Sequence, residues 1–170
     1  MAPLVVFIVL LAGFRLAAGR GLRVSTPCRV RFALAGLFLF TGVSHFALPR
    51  TLAAMVPAWF PAPELAVYAS GAVEIALAVA LASRVAIRRP RWVAAVTIAL
   101  LVGLLPFNIY AAWAGVGPSG EYGLAYLWFR VPVQLLWIGA AWFALRSGAA
   151  RRVFARLRAD STDAARGVEA

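Results

Sequence analysis

Lysine is missing from this 170-residue chain, and acidic residues are scarce: six Asp and Glu stand against 17 basic residues, all of them arginine. Charged residues make up only 14% of the chain, while 64% is hydrophobic. A water-soluble domain with so little polar surface could not cover itself, so the composition excludes an ordinary globular fold and points to lipid as the solvent. The one cysteine, Cys28, has no partner for an internal disulfide, and without a Cys-x-x-Cys pair there is no intrinsic thiol relay. The one histidine, with no cysteine near it, does not make a metal-ligand set. There is no nucleotide-binding glycine loop and no Ser/His/Asp arrangement for nucleophilic catalysis. A formal charge of +11 would suggest nucleic acid in a soluble protein. Here the arginines fall between apolar runs, so the membrane surface accounts for them and no nucleic-acid partner is expected.

What is present is a series of long apolar runs: Leu4 to Ala18, Phe32 to Leu48, about Leu65 to Ser83, Trp92 to Trp113 and Leu124 to Leu145. At about 1.5 Å per residue, Phe32 to Leu48 makes roughly 26 Å of helix, close to the hydrocarbon thickness of a bilayer. The runs are apolar all round and too long and unalternating for barrel strands, so each reads as a membrane-spanning helix. Leu16-Ala17-Ala18 has a loose likeness to a signal-peptide cleavage site, but no positive charge precedes the first run, which therefore reads as a span. Residues 1–30 are thus an N-terminal transmembrane helix with a basic loop that holds Cys28, 31–146 a four-helix core, and 147–170 a basic tail.

Arginine placement sets the expected orientation. Arg20, Arg23, Arg29 and Arg31 follow the first run, Arg84, Arg88, Arg89 and Arg91 follow the third, and Arg146, Arg151, Arg152, Arg156, Arg158 and Arg166 follow the fifth. The other two connections carry only Arg50 with Glu64, and Glu121. Basic connections stay cytoplasmic, which places the N-terminus outside, the C-terminus inside and the chain in a bacterial inner membrane. Thr51 to Phe60, with Leu52, Met55, Val56, Trp59 and Phe60 at helical spacing, reads as a short helix on the outer surface. Val153, Phe154 and Leu157 among arginines suggest a basic helix on the inner leaflet, and the small polar residues from Asp160 onward suggest disorder. Tyr110, Trp113, Tyr126 and Trp128 read as an aromatic belt.

Charges inside spans are costly and are the natural functional candidates. Glu74 lies near the middle of the third span, where it must take up a proton or meet a cation, and Ser70 stands one turn before it on the same face. Arg130, near the outer end of the fifth span, is the obvious cation, with Gln134 one turn further on. Counted from the outer face, Glu74 is about nine residues deep and Arg130 about six, a difference of roughly 5 Å that an arginine side chain can bridge. His45 and Asn108 end the second and fourth spans on that same side, and Pro106 frees a carbonyl that Asn108 is placed to solvate. Polar residues gathered at one depth make either a pair that holds helices in register or a site for a small ligand or lipid headgroup. Gly71 and Gly103 read as points of close helix packing.

Several stretches resemble the DoxX-like family of small membrane proteins. They are Phe38-Leu39-Phe40-Thr41-Gly42-Val43-Ser44-His45-Phe46, Met55-Val56-Pro57 with Trp59-Phe60-Pro61, Tyr68-Ala69-Ser70-Gly71-Ala72-Val73-Glu74, Pro106-Phe107-Asn108-Ile109-Tyr110, and Trp128-Phe129-Arg130-Val131-Pro132-Val133-Gln134. The resemblance covers about Arg31 to Leu145. It implies an all-α, membrane-spanning bundle: a four-helix DoxX-like core with one extra transmembrane helix in front. It also implies that His45, Ser70, Glu74, Asn108, Arg130 and Gln134 are ligand-binding candidates, with a link to redox systems or, in other relatives, to membrane-protein assembly. The expected function is a redox-associated subunit whose pocket takes a quinone or a small anion. A scaffold or assembly factor is the alternative, and a small-solute carrier a further one. The chain holds no intrinsic cofactor and no catalytic or metal-binding residues, so it is not expected to catalyse redox chemistry alone; a redox-protein partner, or a second copy of itself, is the partner this reading calls for.

Overall fold

The computed structural model describes residues 2–19, 25–117 and 123–146. Arg20, Arg23, Glu121, the expected basic helix around Val153 and the tail from Asp160 lie outside the described residues. Those described form α1 (Ala2–Gly19), α2 (Thr26–Ala47), α3 (Pro49–Ala53), α4 (Pro63–Ala82), α5 (Val85–Arg88), α6 (Pro90–Ala114), a 3-10 turn (Leu124–Tyr126) and α7 (Leu127–Arg146), with no strand among them. The fold is an all-α bundle. The segments Thr26–Ala47, Pro63–Ala82, Pro90–Ala114 and Leu124–Arg146 are long and apolar enough to cross a membrane; α1 is a shorter apolar helix, Pro3–Leu16.

Proline marks where most of these helices begin. Pro27, Pro49, Pro63 and Pro90 occupy the first or second position of α2, α3, α4 and α6, where a missing amide hydrogen costs nothing and the fixed φ favours the first turn. At the other end of α6, Gly115 takes a left-handed conformation (φ 69°) and stops the helix. The early start of α2 alters one expectation. Cys28, Arg29 and Arg31 are helical rather than part of a loop, and Arg31 is buried. Its guanidinium reaches the Ser83 carbonyl (3.4 Å) and Cys28 Sγ (3.8 Å) and lies 4.8 Å from the Phe32 ring centre. Arg31 thereby ties the start of α2 to the end of α4.

Helix α2 is the hub: it packs against α4 most extensively, and also against α1 and α7, while α6 rests mainly on α7. Between helices in lipid there is no hydrophobic driving force, so close van der Waals contact must supply the attraction. The α2–α4 crossing achieves it through two glycines. A Cβ on Gly42 would lie 2.8 Å from Ile75 Cγ1 and 3.0 Å from the Gly71 carbonyl oxygen. A Cβ on Gly71 would lie 2.6 Å from His45 Cβ and 3.1 Å from the Gly42 carbonyl oxygen. Gly71 is therefore the close-packing point its spacing suggests. Gly103 is not: nothing lies within 4 Å of its Cβ position. On the other side of α2, Leu10 of α1 presses against Gly36, and Phe7 is buried.

The outer-surface helix expected over Thr51 to Phe60 is only partly realised. The helical part is the five-residue α3, and Ala54 to Phe60 continue as turns. Trp59 is strongly exposed, but Leu52, Met55 and Val56 turn inward. Gly71→Ala should lower stability by about 1–3 kcal/mol, the usual cost of overpacking, in a denaturant titration of the detergent-solubilised protein. Gly103→Ala should leave it unchanged or raise it by up to about 1 kcal/mol.

Candidate functional site

The elements alternate in direction, so the end of α2, the first half of α4, the second half of α6 and the first half of α7 meet at one end of the bundle. There they enclose a cavity of about 380 Å³. Below it Leu34 and Leu37 of α2, Leu81 of α4, Leu101 of α6 and Ala141 of α7 are almost fully buried. The exposed arginines Arg88, Arg89, Arg91 and Arg146 all lie at the other end. Above the cavity, Leu52, Met55 and Val56 close in from the segment after α2, and Pro3 and Leu4 reach it from the first turn of α1.

Five of the six residues singled out by sequence line this cavity: His45, Ser70, Glu74, Asn108 and Arg130. Glu74 is buried on α4 and Gly71, one turn earlier, lets α2 approach, so that His45 Nδ1 comes within 3.8 Å of Glu74 Oε2. That nitrogen also lies 2.7 Å from the Thr41 carbonyl oxygen. A carbonyl only accepts, so Nδ1 carries the hydrogen and donates it to Thr41. Glu74 Oε2 is left buried with no hydrogen-bond partner. The Ser70 hydroxyl donates to its own helix, at the Val67 carbonyl (2.9 Å).

Arg130 does not bridge directly to Glu74 as its depth suggests. Its Nε donates to Asn108 Oδ1 at 3.1 Å, and its guanidinium carbon stacks 5.0 Å from the centre of the Trp137 ring. Asn108 is held in turn by donating its Nδ2 to the Leu104 carbonyl at 2.7 Å. Glu74 and Arg130 thus face the same cavity from different walls. The α2 and α4 side of the lining carries Thr41, Ser44, His45, Ser70 and Glu74, and the α6 and α7 side Asn108, Arg130 and Trp137.

Gln134 is the exception among the candidates. It is fully buried outside the cavity lining, and its Nε2 donates to the Leu101 carbonyl of α6. Pro106 removes the amide that would reach the Val102 carbonyl; Gln134 bonds the adjacent Leu101 carbonyl and so joins α7 to α6 beside that gap. Asn108, expected to solvate the freed carbonyl, instead bonds Leu104 and orients Arg130. Trp137 was the sequence signal left unread: it lies seven residues after Arg130, on the same helical face. Tyr126, expected in an aromatic belt, lines the cavity, whereas Trp113 and Trp128 are exposed as a belt requires. Among the described residues, no group of His, Cys, Asp and Glu could hold a metal ion.

Residues 34–145 match the family model described as a domain of unknown function, DUF8561. The match runs from α2 to the end of α7 and leaves α1 outside it. No curated protein and no solved structure matches the chain.

Replacing Gln134 with Leu should cost about 1 kcal/mol of stability by removing its bond across to α6, read as a lowered unfolding midpoint in detergent. A midpoint equal to wild type would show that this bond contributes nothing to stability.

Proposed function

We propose that this chain, which belongs to the DUF8561 family, is a redox-associated membrane subunit whose cavity binds a quinone head or a small anion. The observation that carries this reading is the cavity in which Glu74, His45, Asn108 and Arg130 converge. A pocket that is largely apolar with a few convergent polar groups is the usual form of a small-molecule site. Phe40, Phe107, Phe129 and Trp137 supply flat apolar surface for a ring. A quinone, when bound, supplies two-electron redox chemistry, and the electrons come from a partner protein. Arg130, held in place by Asn108, donates to the ligand's carbonyl or anionic oxygen. Glu74, beside His45, accepts or returns a proton. The DoxX-like resemblance of these same stretches points in the same direction.

In this reading the protein sits in a bacterial inner membrane with α1 as a fifth span, the arginine-rich end in the cytoplasm and the cavity facing outward. A reporter fused after Arg146 should be active only in its cytoplasmic form; activity in its external form would reverse the topology.

A scaffold or assembly role is the second reading. It is favoured by the Arg130–Asn108 and Gln134–Leu101 bonds, which knit α6 to α7 and hold helices in register. Against a carrier, Leu34, Leu37, Leu81 and Leu101 are buried in the bundle beneath the cavity.

Lipid extracts of the purified protein distinguish the first two. Quinone should copurify with wild type and be lost from Glu74→Gln and Arg130→Ala variants that still insert. Equal quinone in all three would overturn the binding reading. Retained function in a Glu74→Gln, Arg130→Met double variant would favour the scaffold.

A further inference from the structure

Several polar groups in the cavity lining are already committed. The Ser44 hydroxyl donates to the Phe40 carbonyl (2.8 Å) and the Ser70 hydroxyl to the Val67 carbonyl (2.9 Å), each within its own helix. Glu74 is 3% exposed, so packing encloses its carboxyl and little of it meets the open space. Arg130 differs. Its Nε donates to Asn108 Oδ1 at 3.1 Å, and the Trp137 ring covers one face of the guanidinium at 5.0 Å. Its terminal nitrogens, Nη1 and Nη2, bond to no described residue and are not enclosed by packing. The guanidinium is thus fixed along one edge and one face, and its forked edge is left to the cavity. That fork matches a planar carboxylate through two parallel hydrogen bonds. A cation inside a span is stabilised by pairing with an anion. With Glu74 in the same lining, a head with one negative charge fits better than a phosphate with two.

The mouth of the cavity is apolar and lies below the helix ends. Phe40 and Leu48 both line the cavity and are exposed, at 40% and 48%. With Ser44 they stand four residues apart along one side of α2 and its cap. Phe40 is seven residues before the end of α2 at Ala47, so about 10 Å inside it. Helix α1 packs along α2 and adds Pro3 and Leu4 to the lining. A hydrocarbon chain passes such a mouth without giving up a hydrogen bond, whereas a hydrated solute must shed its water.

We propose that the cavity receives a long-chain carboxylate, of the fatty-acid class, sideways from the bilayer. The head bonds Nη1 and Nη2 of Arg130, and the chain lies past Phe40 toward the lipid. This rests on the reading of the cavity as a ligand site and deepens its small-anion branch, with the quinone as the competing branch.

The test is saturation binding of tritiated palmitate to the full chain in lipid nanodiscs, corrected for empty discs, with unlabelled palmitate, hexadecanol and acetate as competitors. Palmitate should bind saturably. Hexadecanol, which has the chain without the charge, should compete at least about tenfold less well than palmitate, the share expected of hydrogen bonds to a charged group. Acetate, which has the charge without the chain, should not compete. Arg130→Gln should bind palmitate and hexadecanol equally. Ser44→Trp, which fills the mouth and leaves Arg130 in place, should lose most palmitate binding. Acetate competing as well as palmitate would overturn the chain and leave a free small anion. Hexadecanol competing as well as palmitate would overturn the anionic head. Absent palmitate binding in a preparation that still carries quinone would overturn this proposal and leave the quinone reading standing; absence of both would overturn the two together. Wild type alone decides among these results. A folded Arg130→Gln protein that keeps the preference for palmitate would remove Arg130 as the receptor, and a folded Ser44→Trp protein with full palmitate binding would overturn the sideways entry.

Discussion

The structure depends on how closely α2 and α4 approach each other at Gly42 and Gly71. Helices in lipid gain nothing by hiding apolar surface from one another, so they associate only where backbones come near enough for dense contact and where polar groups bond across the gap. Each glycine here sits against the other's carbonyl oxygen, and a methyl group at either would collide with the facing helix. That approach also brings His45 of α2 to Glu74 of α4. Packing and site chemistry are therefore one arrangement: the atom that a larger residue 71 would strike first is the Cβ of His45.

The second half of the bundle is assembled differently. Helix α6 carries a proline in its interior and rests mainly on α7. Hydrogen bonds from Gln134 to Leu101 and from Arg130 to Asn108 join the two helices near the proline. In this pair, polar bonds do the work that glycine contact does between α2 and α4. The cavity opens where these two differently built pairs face each other.

The family match spans α2 to α7, yet Pro3 and Leu4 of α1 help to enclose the cavity. The helix in front of the matched domain is consequently part of the site's wall as well as an added apolar helix. With Leu10 pressed on Gly36 and Phe7 buried, α1 is docked along α2 firmly enough to define one side of the opening.

Much of this was legible from residue order alone. Apolar runs of bilayer length permit little besides helices, and the scarcity of charge makes Glu74, Arg130, His45 and Asn108 stand out at a common depth. The apolar runs place the starts of α2, α4 and α6 two to six residues late, where Pro27, Pro63 and Pro90 mark them. The partner of each polar side chain was not legible. Depth suggested that Arg130 meets Glu74; the rotation of α6 and α7 gave it Asn108 and Trp137 instead, and turned Gln134 toward the Leu101 carbonyl. Nor could spacing separate Gly71, which touches a neighbouring helix, from Gly103, which touches none. Sequence determines which residues lipid will not tolerate alone and how deep they lie, because hydropathy and helical rise are local properties. Only the tertiary structure decides which of them meet, because that depends on the rotation and crossing of helices, set by contacts between residues far apart in the chain.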